Sequence, residues 1–128
     1  MVIRIRAVTI PLLRESNKSE DNIMRVYCGK DYEEASRIAA NLIAAQVTVK
    51  PDCVLGLATG ATPVPTYNYI TKAYADGKVS FKNVSTFNLD EYCDLPKDNK
   101  NSYYTFMFRN LFSHVDIDPA NVGFLDGN

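Results

Sequence analysis

From Met24 onward, short apolar runs alternate with longer stretches in which apolar residues return every third or fourth position. Met24-Arg25-Val26-Tyr27-Cys28 reads as a strand punctuated by Gly29. Asp31 is placed to cap a helix, with Glu33 and Glu34 in the first turn, where the helix dipole favours negative charge. Ala35, Ile38, Ala39, Leu42, Ile43 and Val47 recur at helical spacing and mark one apolar face, and Pro51 ends the run. Cys53-Val54-Leu55-Gly56-Leu57-Ala58 is continuously apolar, the pattern of a strand buried on both faces. It leads into Thr59-Gly60-Ala61-Thr62-Pro63, where Thr62 suits an N-cap and Pro63 the first helical position. Pro65 still falls in the first turn, where a missing N–H costs little. The predicted helix carries Tyr67, Tyr69, Ile70, Ala73 and Tyr74 and closes at Gly77. Val84 to Leu89 reads as the next strand, with Asp90-Glu91-Tyr92 just past its end. After a polar loop from Asp94 to Asn101, Ser102 is placed to cap a helix running through Phe112. Asn121 to Leu125 suggests one more short strand.

The chain before Met24 is different. Val2, Ile3, Ile5, Val8 and Ile10 interleave with Arg4 and Arg6 in a weak strand pattern, and Glu15 to Asn22 is polar and charged. Residues 1–23 are expected to be an extension ahead of a domain occupying 24–128. In that domain strands alternate with helices, which predicts βαβ units and an open parallel α/β sheet flanked by helices. Ligands of such sheets bind beyond the carboxyl ends of the strands. Two polar clusters, Thr59–Thr62 and Asp90–Tyr92, fall at such ends, and their shared position makes them a candidate site.

Composition narrows the classes. The 128 residues fit one ordinary domain, and 46% hydrophobic with 23% charged residues is globular composition. A net charge of −1 gives no general attraction to nucleic acid. An anionic ligand would have to be drawn locally, by backbone dipoles or by groups outside this chain. No apolar run approaches the roughly 20 residues of a membrane span. Met1 to Leu13 is broken by Arg4, Arg6 and Pro11, which makes a poor secretory signal. The three cysteines, Cys28, Cys53 and Cys93, are odd in number and widely spaced, as expected of reduced thiols in a cytoplasmic protein.

Thr59-Gly60-Ala61-Thr62, between a strand and a helix, offers backbone N–H groups, hydroxyls and the positive end of a dipole. That suits a phosphate, and Gly60 lets the backbone turn and approach a ligand closely. The alternative is a plain helix start without a ligand. Asp90 and Glu91 after an apolar strand can act as a proton-transfer group and its neighbour, each raising the other's pKa, with partial burial raising it further. The alternative is a solvated acidic turn. Tyr103, in Asn101-Ser102-Tyr103-Tyr104, can bond substrate hydroxyls and cover them with its ring. Tyr103, Tyr104, Phe106, Phe108 and Phe112 also read as core aromatics at helical spacing. His114, the only histidine, sits where polar side chains finish helices. With one His and no clustered Cys, no metal site is predicted.

Together these residues resemble the glucosamine-6-phosphate deaminase family. The resemblance is carried by Leu55-Gly56-Leu57-Ala58-Thr59-Gly60-Ala61-Thr62-Pro63, Val79-Ser80-Phe81-Lys82, Thr86-Phe87-Asn88-Leu89-Asp90-Glu91-Tyr92, Leu95-Pro96, Ser102-Tyr103-Tyr104 and Phe112-Ser113-His114-Val115-Asp116. The Thr-Gly-x-Thr-Pro turn is shared with phosphogluconolactonases, whereas the Asp90 and Tyr103 runs are specific to the deaminases. The resemblance implies a modified Rossmann-like fold of the deaminase/ribose-5-phosphate isomerase-like superfamily. It implies conversion of glucosamine 6-phosphate and water to fructose 6-phosphate and ammonia by aldose–ketose isomerisation, without cofactor or metal. By position, Asp90 is implied as the base that moves the C2 proton. Thr59, Gly60, Ala61 and Thr62 are implied as the turn holding the phosphate end, and Tyr103 as a sugar contact.

Ala61 stands where family members often have Gly, which puts the phosphate geometry in question. The family's ring-opening Asp, His and Glu, in a run ending His-Ile-Ala-Phe-Asn-Glu-Pro, and its basic phosphate ligands have no counterpart here. The expectation is therefore an incomplete sheet, the N-terminal half of such a protein, inactive alone and prone to self-associate, with a homo-oligomer as a candidate state. The alternatives are a non-catalytic sugar-phosphate-binding module and a lactonase or pentose-phosphate isomerase of the same superfamily.

Overall fold

The computed structural model describes residues 26–126, together with the backbone of Val2–Ile3. The remainder of the predicted 1–23 extension, and Met24-Arg25 of the first predicted strand, lie outside the described residues. Val2–Ile3 (β1) pairs antiparallel with Tyr27–Cys28 (β2), Val2 opposite Cys28.

Tyr32–Val49 forms helix α1. Its start is set as the sequence predicts: the Asp31 side chain accepts the Glu34 N–H at 2.8 Å, and the Glu34 carboxylate accepts the Lys30 N–H at 2.8 Å. The buried face is rotated from the predicted one. Ala40, Ile43, Ala44 and Val47 join the main core, with Ala35 and Ser36 buried above them. Ile38, Ala39 and Leu42 are only half-buried.

Val54–Leu57 (β3), Ser85–Asn88 (β4) and Val122–Gly123 (β5) form a three-stranded parallel sheet in the order β3-β4-β5. Val54 pairs with Ser85, Leu57 with Asn88, and Thr86 with Val122. Between β3 and β4 lies helix α2, Val64–Ala75, closed by Gly77 at φ +71°, whose N–H reaches the Tyr74 carbonyl at 2.8 Å. Helix α3, Tyr103–Asn110, is capped as predicted by the Ser102 hydroxyl, which accepts the Thr105 N–H at 3.0 Å. It stops two residues short of Phe112, which opens a separate 3-10 turn, Phe112–His114.

The core lies on one face of this sheet. Leu57, Thr86 and Asn88 point into it with Tyr67 and Ile70 of α2 and Met107 of α3, all nearly or fully buried. Each large apolar side chain so placed contributes roughly 1.5–3 kcal/mol. The other face is uncovered among the described residues. Val54 is 73% exposed, Phe87 is 45% exposed, and Gly56 beside them is open. The apolar run Cys53–Ala58 therefore does not form a strand buried on both faces. Val54 and Gly56 alternate outward while Leu55 and Leu57 turn in. Below the sheet, the Asp116 carboxylate accepts from the Ser80 hydroxyl and from the Phe81 N–H, each at 2.6 Å, binding the Val79–Phe81 segment to the chain leading into β5.

Candidate functional site

Parallel pairing fixes where the two polar clusters meet. Leu57 and Asn88 are register partners, so Thr59 and Asp90 each lie two residues past the end of adjacent strands. Both clusters thus leave the sheet on the same edge, the one where ligands of open α/β sheets bind. The Asn88 amide nitrogen, fully buried, donates to the Leu57 carbonyl at 3.1 Å and ties the two exits together.

The turn is held from both ends by tyrosines. The Tyr67 hydroxyl, buried in the core, bonds the Ala58 carbonyl, and burial pushes that phenol's pKa well up, so it stays a donor. The Tyr32 hydroxyl donates to the Thr62 carbonyl at 2.6 Å and lies 3.2 Å from the Ala61 carbonyl. Gly60 alone in the turn has positive φ, +90°, and a Cβ there would meet nothing within 4 Å. Ala61 is not in the left-handed region, so its backbone is unstrained by the methyl. Thr62 does not cap α2. The cap position is Pro63, in helical conformation and without a side-chain cap bond, and the helix begins at Val64.

The two acids separate in role. Glu91 accepts the N–H groups of Tyr103 and Tyr104, the first residues of α3, and that of Tyr92, each at 2.9 Å. Burial pushes its carboxyl up, but these three amide bonds outweigh it and hold the pKa below the ordinary 4.5. The expectation that paired acids raise each other therefore fails at Glu91, because its charge is stabilised by a helix start. Asp90 stands exposed at the strand exit.

Gly60 of the turn, Tyr92 next to the acids, and Tyr103 of α3 line one open cleft of about 590 Å³, with Cys93, Leu95, Lys100, Asn101, Ser102, Phe106 and Arg109. The Tyr92 and Tyr103 rings lie 4.7 Å apart, and their hydroxyls are 3.3 Å apart. The hydrogen bond shared with Tyr103, then the nearby negative charges, keep the Tyr92 phenol protonated to higher pH than usual. The aromatics predicted as core split. Tyr104, Phe108 and Phe112 pack with Phe124 at centroid distances of 4.6–6.4 Å, while Tyr103 turns into the cleft. The sequence reading missed Lys100 and Arg109. Arg109 was legible, since Ser102, Phe106 and Arg109 follow the spacing of one helical stripe. His114 is a structural finish to α3, its Nε2 lying 3.0 Å from the Arg109 carbonyl. Among the described residues no group of three His, Cys, Asp or Glu side chains could hold a metal, and no helix is long and apolar enough to cross a membrane.

No family model matches the chain. The glucosamine-6-phosphate deaminase of Clostridium botulinum strain Langeland is 50% identical over 104 residues, 81% of this chain and 43% of that protein. That of Clostridioides difficile is 51% identical over 104 residues, 81% of this chain and 42% of its own. A solved monomeric glucosamine-6-phosphate deaminase, described as a missing link of the NagB superfamily, superposes with a TM-score of 0.76 at 43% identity. It is matched over 78% of this chain and 42% of its own. The chain is homologous to part of the glucosamine-6-phosphate deaminases. It spans under half the length of the deaminases it matches. A 6-phosphogluconolactonase from Thermotoga maritima superposes with a TM-score of 0.60 at 22% identity, which shows the shared fold alone. The lactonase reading is accordingly the weaker one.

Proposed function

We propose that this chain contributes the proton-transfer and phosphate-binding side of a glucosamine-6-phosphate deaminase acting in the cytoplasm. The observation that carries the proposal is one cleft shared by Gly60, Tyr92 and Tyr103, at the strand ends where Asp90 also emerges. Amides and hydroxyls of Thr59, Gly60, Ala61 and Thr62 hold the phosphate of the substrate. Tyr103 contacts the sugar. Asp90 moves the proton at C2 during isomerisation, and deamination releases ammonia. Glu91, fully engaged with amides, takes no proton and instead fixes α3, and hence Tyr103, relative to Asp90. Ring opening belongs to residues that the matched region does not supply, so the chain alone binds glucosamine 6-phosphate without turning it over.

The test joins residues 1–128 to the part of the Clostridioides difficile deaminase that this chain does not cover. The chimera is expected to release ammonia from glucosamine 6-phosphate, and Asp90→Asn to lower that rate by about 10²–10⁴-fold. An Asp90→Asn chimera as fast as its parent would remove Asp90 from the chemistry.

A further inference from the structure

Glu91 does more than fix α3. One of its carboxylate oxygens accepts the N–H of Tyr92 and the N–H of Tyr103, each at 2.9 Å, so the backbones of both tyrosines are held by a single atom. Their rings meet at 4.7 Å between centroids with a tilt of 35°, and their hydroxyls lie 3.3 Å apart. Two hydroxyls that share one hydrogen bond use one proton between them and leave the other for an acceptor elsewhere. Tyr92 is 49% exposed and Tyr103 is half-buried, which puts the free end of the pair at Tyr92. Among the described residues neither hydroxyl has a further partner. The shared bond polarises the outer O–H and makes it a stronger donor than a lone phenol. That bond first, and then the charges of Asp90 and Glu91, keep the Tyr92 proton in place to higher pH than usual. Tyr92 follows Asp90 by two residues, and it lines the cleft shared by Gly60 and Tyr103, where Leu95 and Phe106 add apolar surface.

We infer that Tyr92 and Tyr103 act as one donor unit, in which Tyr92, the outer of the two, donates its hydroxyl hydrogen bond to an oxygen on the carbon chain of a bound sugar phosphate. No proton is transferred in this contact. The two rings, with Leu95 and Phe106, offer apolar surface to the C–H groups of the sugar, and the paired hydroxyls read its oxygens. The inference rests on the function proposed above for this cleft and adds Tyr92 to the residues that touch the sugar.

Calorimetric titration of the chain with glucosamine 6-phosphate and, separately, with inorganic phosphate, which has no sugar, tests it. Tyr92→Phe keeps the ring and removes only the hydroxyl. It is expected to weaken glucosamine 6-phosphate about threefold to tenfold and to leave inorganic phosphate unchanged. Tyr103→Phe is expected to lose part of the same affinity. The double variant is expected to bind no more weakly than Tyr92→Phe alone, because the two hydroxyls form one chain. A pair that only held the fold would change both ligands alike. Should Tyr92→Phe disturb the fold, Tyr103→Phe, on the same hydrogen bond, must still show the loss confined to the sugar phosphate. Parent-like affinity for glucosamine 6-phosphate in Tyr92→Phe, or losses that add in the double variant, overturns the paired donor and leaves the proposed function standing. No binding of glucosamine 6-phosphate by the unsubstituted chain overturns both.

Discussion

Removing the Glu91 carboxylate strips three amides of their acceptor at the start of α3. Glu91→Ala should cost about 1–2 kcal/mol at pH 7, as loss of a helix cap does, measured by urea unfolding. The sign with pH follows from the lowered pKa. A carboxyl that ionises more readily when folded stabilises above its unfolded pKa, and that contribution fades as pH falls through the folded value. The difference between Glu91→Ala and the parent should therefore be largest at pH 7 and shrink as pH falls below the ordinary carboxylate pKa of 4.5. A difference independent of pH would mean that Glu91 acts by packing. At Gly60, the φ of +90° predicts that Gly60→Ala costs about 1–2 kcal/mol and weakens phosphate binding, since a Cβ meets no clash but the backbone resists the left-handed region. The placement of Thr59–Thr62 and Asp90 past strand ends, and of Tyr103 at a helix start, was legible because each abuts a strand or a helix cap. That Glu91 is tied to α3 while Asp90 stands exposed was not. It depends on where α3 begins in space, 12 or 13 residues further along the chain.

Among elements, α1 reaches the site through Tyr32, at its first turn, which bridges 30 residues to the Thr62 carbonyl. Tyr32→Phe should lower stability by about 1 kcal/mol, the net worth of one such bond. It should also speed amide exchange in residues 59–62 while leaving the middle of α2 protected, read by hydrogen exchange. Equal acceleration throughout α2 would mean that the bond serves the helix and not the turn. The elements themselves were mostly legible: the Asp31 and Ser102 caps and the Gly77 stop follow from local chemistry. Two features escaped. The face of α1 was only partly read, with Ala35, Ile43 and Val47 on it but not Ala40 or Ala44, because periodicity marks apolar residues without saying which of them a neighbouring element covers. The start of α2 was misjudged because Thr62 and Pro63 both suit its opening positions, and only the backbone decides between them.

At the scale of the molecule, among the described residues the sheet is covered on one face, and Val54 and Phe87 stand out from the other. An exposed apolar sheet face with open edges favours association. The chain is expected to self-associate with rising concentration, and Val54→Lys with Phe87→Lys to move sedimentation toward the monomer without loss of phosphate binding. Sedimentation unchanged by both lysines would place the contact elsewhere. Parallel α/β order was legible from the alternation of runs, but one-sided burial was not, since a continuous apolar run looks the same whether its second face is covered or bare. What the whole fold achieves is to bring two strand exits and one helix to a single cleft. The most direct measurement is a crystal structure of the chain with glucosamine 6-phosphate. The phosphate should lie on the Thr59–Thr62 turn, with C2 facing the Asp90 carboxylate at close to hydrogen-bond reach, about 3 Å. A sugar phosphate bound away from that turn, or with Asp90 turned to the far side of the molecule, would contradict it.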